Sequence, residues 1–483
     1  MSNTEPRAEP RADRLRKDAL GVAAITFFVV SAAAPLTAVA GGYPIAMLLG
    51  NGSGVPLAVV LTTVILLVFS VGYTTMARHI ANAGSFYAFT ARGLGGVAGG
   101  AAAYIAVLAY NAMQVGLYGL FGAVAAGTLG QFGIEAPWWV WSGIALVVTG
   151  LFGYLKIDLS AKVLALLVCV EYIAVVILDL VIVGKGGDSG NSMVSFTPTA
   201  FFQGSPTIGM LLCFAAFMGF EATTIYSEEA KEPHRTVPRA TYLSVIIIGV
   251  FYTITTWAMV NGEGADKVLP TLQGLKDPTV FIFMLSDRYV GSWLTLLMSV
   301  LLISSVFAAL LAFHNAAARY FYVLGREGLL PAHLGQTHDV HQSPHLGSLL
   351  QSALGVLVLA IFVITAQDPV LGLFAWLTNL ATLSVITLMT VVSFAVIAFF
   401  RKNPGLVPSG FKTLLAPLVA GVLLGIIAVM VVINFPGLTG SDPKIAYGLV
   451  VLVPIAGVVG AIVAGNLKKQ AGARFAELGA HQV

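Results

Sequence analysis

The stretch FAAFMGFE (214–221) puts Gly219 and Glu221 midway along an apolar run from about Ile208 to Tyr226. Glycine is a poor helix former, and a carboxylate is costly in hydrocarbon unless it faces protein or water. A second interrupted run reads FFVVSAAAPLTAVAGGYP (27–44). There Pro35 removes an amide and clashes with the preceding turn. Backbone without helical partners is tolerated at membrane depth only where it lines a cavity or is buried in protein. Peptide groups released in this way suit a zwitterion. Free amides at the start of a half-helix attract a carboxylate, and freed carbonyls accept from an ammonium. The expected anion end is Ser31, Ala32, Ala33 and Ala34, and the expected cation end is Phe217, Met218, Gly219 and Phe220. Glu221 either adds charge attraction or caps the second half-helix.

Glu171, in LALLVCVEYIAVVILDL (164–180), is a second acid at depth. Burial disfavours the charged form of a carboxyl, so such a group can load a proton on one side and lose it on the other. The alternative is a carboxyl bonded to a neighbouring helix. Asp179 lies nearer the end of its run and is expected to be solvated. In AYNAMQVGLYG (109–119), Tyr110, Asn111, Gln114 and Tyr118 recur at spacings of three and four and share a helical face. That face makes either interhelical hydrogen bonds or a wet path, and Asn111 and Gln114 are candidate substrate ligands. His314, Asn315 and Arg319 are expected near the inner end of their span, as a gate or headgroup anchor. Asn379 is a candidate pore residue.

The elements that must carry these groups are apolar. The 483 residues are 58% hydrophobic and 10% charged, against roughly a quarter charged in soluble domains. The runs are long and unbroken, unlike the alternating segments of a barrel. The chain is therefore expected to be an all-α membrane protein with twelve spans, near 20–49, 55–79, 97–130, 138–155, 160–184, 206–226, 241–262, 292–322, 347–366, 371–400, 413–434 and 445–466. With the N-terminus inside, twenty of the twenty-five Lys and Arg fall on the inner side and five on the outer. This asymmetry places both termini in the cytoplasm of a plasma (inner) membrane protein, with basic loops facing anionic lipid and not nucleic acid. Residues 1–18 read as a cytoplasmic tail. Cys169 and Cys213 both lie in apolar runs and imply packing, not a disulfide.

The two interrupted spans are the first and the sixth, equivalent places in two five-helix halves. Paired broken helices point to an inverted-repeat transporter with its site at the midplane. GFEATTIYSEEAKEPHRTVPRA (219–240) resembles the sixth-helix signature of the amino acid–polyamine–organocation (APC) transporter superfamily. ARHIANAGSFYAFTARGLG (77–95) and REGLLPAHLGQTHDVHQSPH (326–345) are similar to its inner loops after helices 2 and 8. The resemblance spans about residues 15–466. It implies a five-plus-five inverted repeat with helices 11 and 12 added: first repeat 19–184, outer loop 185–205, second repeat 206–400, last helices 401–466 and a cytoplasmic tail 467–483. It also implies a bacterial amino acid permease. Family members usually have a glycine-rich stretch where this chain has alanines and Pro35. Several carry a lysine at the approximate place of Glu171.

Other signals carry less. His333, His338, His341 and His345 share one loop without the ordered spacing of a metal site. GNGSG (50–54) reads as a turn, lacking the Lys-Ser/Thr of a phosphate loop. The glycines of 93–100 suit close helix packing. No catalytic constellation, Walker motif or cofactor motif is present, and no filter repeat suggests a channel. The expected function is a secondary active transporter that imports an amino acid or related amine, coupled to H+ through Glu171. A polyamine or organic amine transporter or exchanger is the alternative, because Glu171 and Glu221 together suit a dication. A sensor without transport is a further rival.

Overall fold

The computed structural model describes residues 20–80, 84–155, 161–225, 230–338, 341, 343–439 and 442–479. The N-terminal tail and Lys156 lie outside the described residues. With no water in the bilayer core to bond peptide groups, apolar segments satisfy their backbone internally as helices. Among the described residues eleven helical stretches are long and apolar enough to cross a membrane. The first runs from Val22 to Ala77, 56 residues, about 84 Å if straight and too long for one crossing of a core about 30 Å thick. It is α1 (Val22–Ala32), a break, a second half with π-helical turns to Asn51, then α2 (Val55–Ala77). The sequence-based count of twelve differs because it divides this stretch at 50–54. There the backbone does leave the helix: Gly50 has non-helical angles and Gly52 a φ of +54°.

A loop helix, α3 (Phe86–Leu94), precedes α4 (Gly96–Gly130), α5 (Trp138–Leu155) and α6 (Ala161–Lys185). The sixth crossing is α7 (Pro206–Phe217), a break, and the short α8 (Ala222–Ile225). Then come α9 (Pro233–Glu263), α10 (Ser292–Glu327), α11 (His345–Ile364), α12 (Ala375–Lys402), α13 (Ala416–Thr439) and α14 (Pro443–Gln470). One face of the bundle carries Leu20, Ala230, Arg326 and Arg474. Lys231 N–H reaches Leu20 O, and Arg474 bonds the Arg326 carbonyl. We call this the near face. The far face carries the 50–54 turn, tied to 200–205 by Ser205 N–H to Gly50 O at 2.9 Å. Sequence periodicity missed α3 and two short far-face helices, Val268–Gly274 and Phe281–Tyr289. All three are too short to give a spanning signal.

α4 is the central mast, packed on α5, α10, α12 and α14. The glycine run at its start serves close approach. A Cβ on Gly460 of α14 would lie 2.1 Å from the Gly100 carbonyl oxygen, and one on Gly100 would meet Ala464 and Gly460. Small residues matter here because lipid tails are as apolar as Leu, so helix association depends on backbone contact and dispersion. α13 and α14 turn Ile426, Val429, Ile433, Val458 and Ile462 outward, as lipid-facing helices do. Gly460→Leu overpacks this seam by about 1–3 kcal/mol or more. The expected result is a clearly lower melting temperature in detergent, read by intrinsic fluorescence, beside an unchanged Gly465→Leu control at an open position.

Candidate functional site

Both breaks exist, and each has a local cause. Ala34 sits at φ 44°, ψ 75°, the left-handed region. Proline at 35 disfavours the α region for the residue before it, and the next helical turn starts from Pro35. Held there, Ala34 stores on the order of 1–3 kcal/mol of strain. In the sixth crossing Met218 is extended (φ −55°, ψ 133°) and Gly219 takes φ +106°, a conformation that costs glycine little.

The expected donors at 31–34 need correction. Ala33 N–H bonds Val29 O and Ala34 N–H bonds Ser31 O, each at 3.0 Å. Ser31 and Ala32 close the last turn of α1. The Ser31 hydroxyl is buried without a partner. The first half reaches the break with its C-terminal end, which offers carbonyls; free amides belong to the start of the second half. One of those amides, that of Thr37, is already engaged, and Glu171 of α6 lies near Leu36 and Ser305. Thr37 N–H and Thr37 O–H donate to Ser305 Oγ at 3.3 and 3.0 Å.

The sixth-crossing break is held in a similar way. Glu221 is fully buried. It accepts from Gly219 N–H at 2.9 Å and from the Tyr110 hydroxyl at 2.6 Å. The amide it accepts from belongs to the break itself and precedes it, while the first amides of the second half-helix go to backbone carbonyls. The Phe217 carbonyl is taken by Phe220 N–H and the Gly219 carbonyl by Ala222 N–H. The Phe220 carbonyl accepts from Thr223 N–H. Phe217 and Phe220 are buried, Phe217 edge-on against Tyr252.

Between the breaks lies a cavity open to solvent, about 530 Å³ with that open space included. Ala33, Ala34, Thr37, Ala38 and Gly42 of the first crossing form one wall. Leu212, Ala215, Ala216 and Met218 of the sixth form another. Met113 and Leu117 of α4, Ala309 and Phe313 of α10, and Phe374 and Thr378 complete it. The only hydroxyls among these side chains belong to Thr37 and Thr378, and neither Glu171 nor Glu221 is part of the wall. Sequence reasoning missed the residues of α4, α10 and α12 here because apolar side chains in apolar spans give no contrast.

Asn111 and Gln114 are not among the walls either. Asn111 Nδ2 bonds the Val107 carbonyl of its own helix at 2.8 Å. Gln114 Nε2 lies 2.9 Å from the Tyr118 hydroxyl and 3.0 Å from His314 Nδ1, and Gln114 accepts from Gln351. His314 Nε2 pairs with the Ser348 hydroxyl at 2.7 Å. His314 is therefore a fully buried member of an α4–α10–α11 network, not a gate at the helix end. Asp179 is corrected likewise: it is buried and accepts from the Thr255 hydroxyl at 2.7 Å. Asn379 is buried with both amide atoms unpartnered.

On the near-face side of the cavity the bundle is closed. The Tyr73 hydroxyl lies 2.8 Å from Ser85 Oγ and 2.6 Å from Thr224 Oγ1, and donates to the Glu221 carbonyl at 3.1 Å. Tyr110 stacks on Tyr320 at 5.0 Å. Together with the Tyr110–Glu221 bond these contacts join α2, α4, α8 and α10 below the breaks. Among the described residues no group of three His, Cys, Asp or Glu is placed to hold a metal ion.

The profile of the amino acid permease family matches residues 26–468. The chain belongs to this amino acid permease family. A branched-chain amino acid permease of Bacillus subtilis, BcaP, is 25% identical over 283 residues, 58% of this chain and 56% of that one. The low-affinity putrescine importer PlaP of Escherichia coli K12 is 25% identical over 267 residues, 52% and 53% of the two chains. A methylthioribose transporter of B. subtilis is 26% identical over 266 residues, 55% and 52%. The matches thus span about half the length of these relatives. In fold alone, the chain resembles a crystal structure of a mutant manganese transporter from Eremococcus coleocola, with a TM-score of 0.57 at 10% identity, covering 94% and 98% of the two chains. That likeness supports the two-halved arrangement with broken first and sixth crossings.

Gly219→Leu tests the second break. A leucine at φ +106° is strained by about 1–3 kcal/mol. The protein should still insert, while solute uptake into proteoliposomes falls at least tenfold.

Proposed function

We propose that this permease is a secondary transporter that carries a neutral amino acid with an apolar side chain by alternating access, with a proton as the coupling ion and Glu171 as its carrier. One observation carries the substrate reading. The cavity between the two breaks has apolar walls, neither buried acid is part of them, and Glu221 is spent on a peptide amide. A dication such as a polyamine would need a carboxylate facing it, because an unpaired cation is costly in an apolar hollow. A neutral zwitterion balances its own charges. Its aliphatic side chain gains by burial, about 25 cal/mol per Å² of apolar surface. The peptide groups left over at the breaks are suited to its charged ends; the Met218 carbonyl, for one, takes no hydrogen bond from the backbone of the described residues.

The closed near face supports the alternating-access reading. A continuous pore would have no Tyr73–Ser85–Thr224 closure beneath its site. The Lys and Arg asymmetry supports a cytoplasmic near face, so the cavity would lie on the outward side and import would be the working direction. For Glu171, support comes from its place: it is 1% exposed, one carboxyl oxygen has no partner, and it lies near Leu36 of the first crossing and Ser305 of α10.

Competition against labelled L-leucine uptake, using isoleucine, valine, alanine, arginine and putrescine, checks the substrate. Isoleucine and valine should compete at concentrations near those of leucine itself. Arginine and putrescine should need at least tenfold more, and equal competition by putrescine would return the amine reading to first place. Gly42 lines the cavity with open space beside its Cα. Gly42→Leu should therefore fill the hollow without backbone cost, abolishing leucine uptake at wild-type melting temperature.

A further inference from the structure

We propose that residues 472–479 form a strap that holds the near face shut, locked through Glu327 to the loop helix α3, and that its release shifts the protein toward a state open on the near side. The inference rests on the alternating-access part of the proposed function. In sequence, KKQAGARFAELG (468–479) is polar and of mixed charge, like a solvated tail. In the structure it folds back onto the bundle. α14 ends at Gln470, and a short helix, Gly472–Ala476, turns the chain. Leu478 is then buried in the main apolar core, 3% exposed. Phe475 packs on the start of α4, where a Cβ on Gly96 would lie 2.7 Å from its ring and 3.1 Å from Leu478 Cδ1. Gly479 takes φ +71°, and a Cβ there would stand 3.1 Å from the backbone of Ala88 in α3. Glycine in this left-handed conformation lets the strap lie close against that helix.

The seat is apolar and the lock is polar. Glu327, the last residue of α10, is 5% exposed. Its Oε2 accepts from Gly479 N–H at 3.1 Å and from the Tyr87 hydroxyl of α3. One carboxyl thus joins α10, α3 and the strap. A buried carboxylate that loses a donor is left under-satisfied, so the strap and α3 hold each other in place there. Arg474 adds a second tie by donating to the Arg326 carbonyl, at a helix end where carbonyls lack helical partners. α3 carries these ties to the closure. Ser85 immediately precedes it, and its hydroxyl is shared with Tyr73 and Thr224 at 2.8 and 3.0 Å. Phe86 and Phe89 lie against Tyr73, with ring centroids 5.8 and 5.1 Å apart. Tyr87, Ala88 and Ala91 meet the strap or its lock. α3 is therefore a short rod between the closure and the strap. With the strap seated, Ser85 is kept on Tyr73 and Thr224. With the strap lifted, Glu327 loses a donor and α3 is free on that side to withdraw Ser85. Among the described residues the cavity walls include none of the strap, so it acts on the closure and not on solute recognition.

The test reads the side on which the cavity opens, whatever the solute. In the full chain the two cysteines are removed by Cys169→Ala and Cys213→Ala, and one thiol is placed in the cavity wall by Ala33→Cys. A membrane-impermeant maleimide is offered from the far side or the near side of sealed, oriented vesicles. With the strap intact, labelling should be fast from the far side and slow, but measurable, from the near side. Tyr87→Phe takes one donor from Glu327, and Leu478→Asp puts a charge into the strap's seat. Each should raise near-side labelling at least about fivefold. Combined in one chain, they should also cut far-side labelling at least about twofold. Lys469→Ala, at an exposed position before the strap, should change neither rate. Should Leu478→Asp fail to fold, Tyr87→Phe carries the test alone, since it removes a single oxygen. Near-side labelling in the strap-intact chain that neither variant alters would overturn the strap and leave alternating access standing. Unreduced far-side labelling in the combined chain would mean local loosening only, and would overturn it too. No near-side labelling in any chain would refute alternating access itself, and the strap with it.

Discussion

Inside a bilayer an unpaired peptide group has no water to turn to, and each one left open costs several kcal/mol. This chain interrupts two crossings and meets that constraint differently in each. Glu221 accepts from Gly219 N–H within its own crossing. In the first crossing Thr37 N–H is taken by Ser305 Oγ of α10. The two solutions differ in consequence. An acceptor supplied in cis moves with its break, and one supplied from α10 ties the first crossing to an element outside it.

Neither carboxyl is part of the cavity wall, and the hollow between the breaks is left to alanine, methionine, leucine and phenylalanine side chains, with two threonines. Burying a polar group without a partner is penalised whichever side supplies it. In the proposed reading, preference for a neutral solute over a cationic one follows from where the acids lie, not from their number.

Much of the fold was legible because long apolar runs, Pro35 and Gly219 each have one strong local consequence. Both breaks fell where those residues predict. The donors at the first break were assigned to Ser31–Ala34, on the wrong side of the kink, because a proline marks a place but not which end of which half faces it. Only the pairing of Ala33 with Val29 and Ala34 with Ser31 shows that the open amides begin at Leu36. The polar face of α4 illustrates a second limit. Gln114 and Met113 are neighbours about 100° apart on the helix, and one turns to His314 and Gln351 while the other turns to the cavity. Partners distant in the chain decide the matter, and no local pattern encodes them. Asp179 failed similarly: its height in the run suggested solvent, but Thr255 on α9 covers it.

The closure beneath the cavity is built differently from the walls above it. It consists of hydroxyls shared among Tyr73, Ser85 and Thr224 and of the Tyr110–Glu221 bond, while the walls are dispersion contacts among small and flexible side chains. Hydroxyl hydrogen bonds each have a modest net worth, about 0.5–1.5 kcal/mol, and can be exchanged for water one at a time as a path opens. Apolar walls pull inward on an apolar solute without fixing its orientation. A bundle so made can switch between states that differ by a few kcal/mol. Glu221 is at once the acceptor for Gly219 N–H at the sixth-crossing break and for Tyr110 in the closure. In the proposed cycle, a solute that strains or relieves the Gly219–Glu221 turn would therefore act on the closure directly, with no longer path through the bundle required.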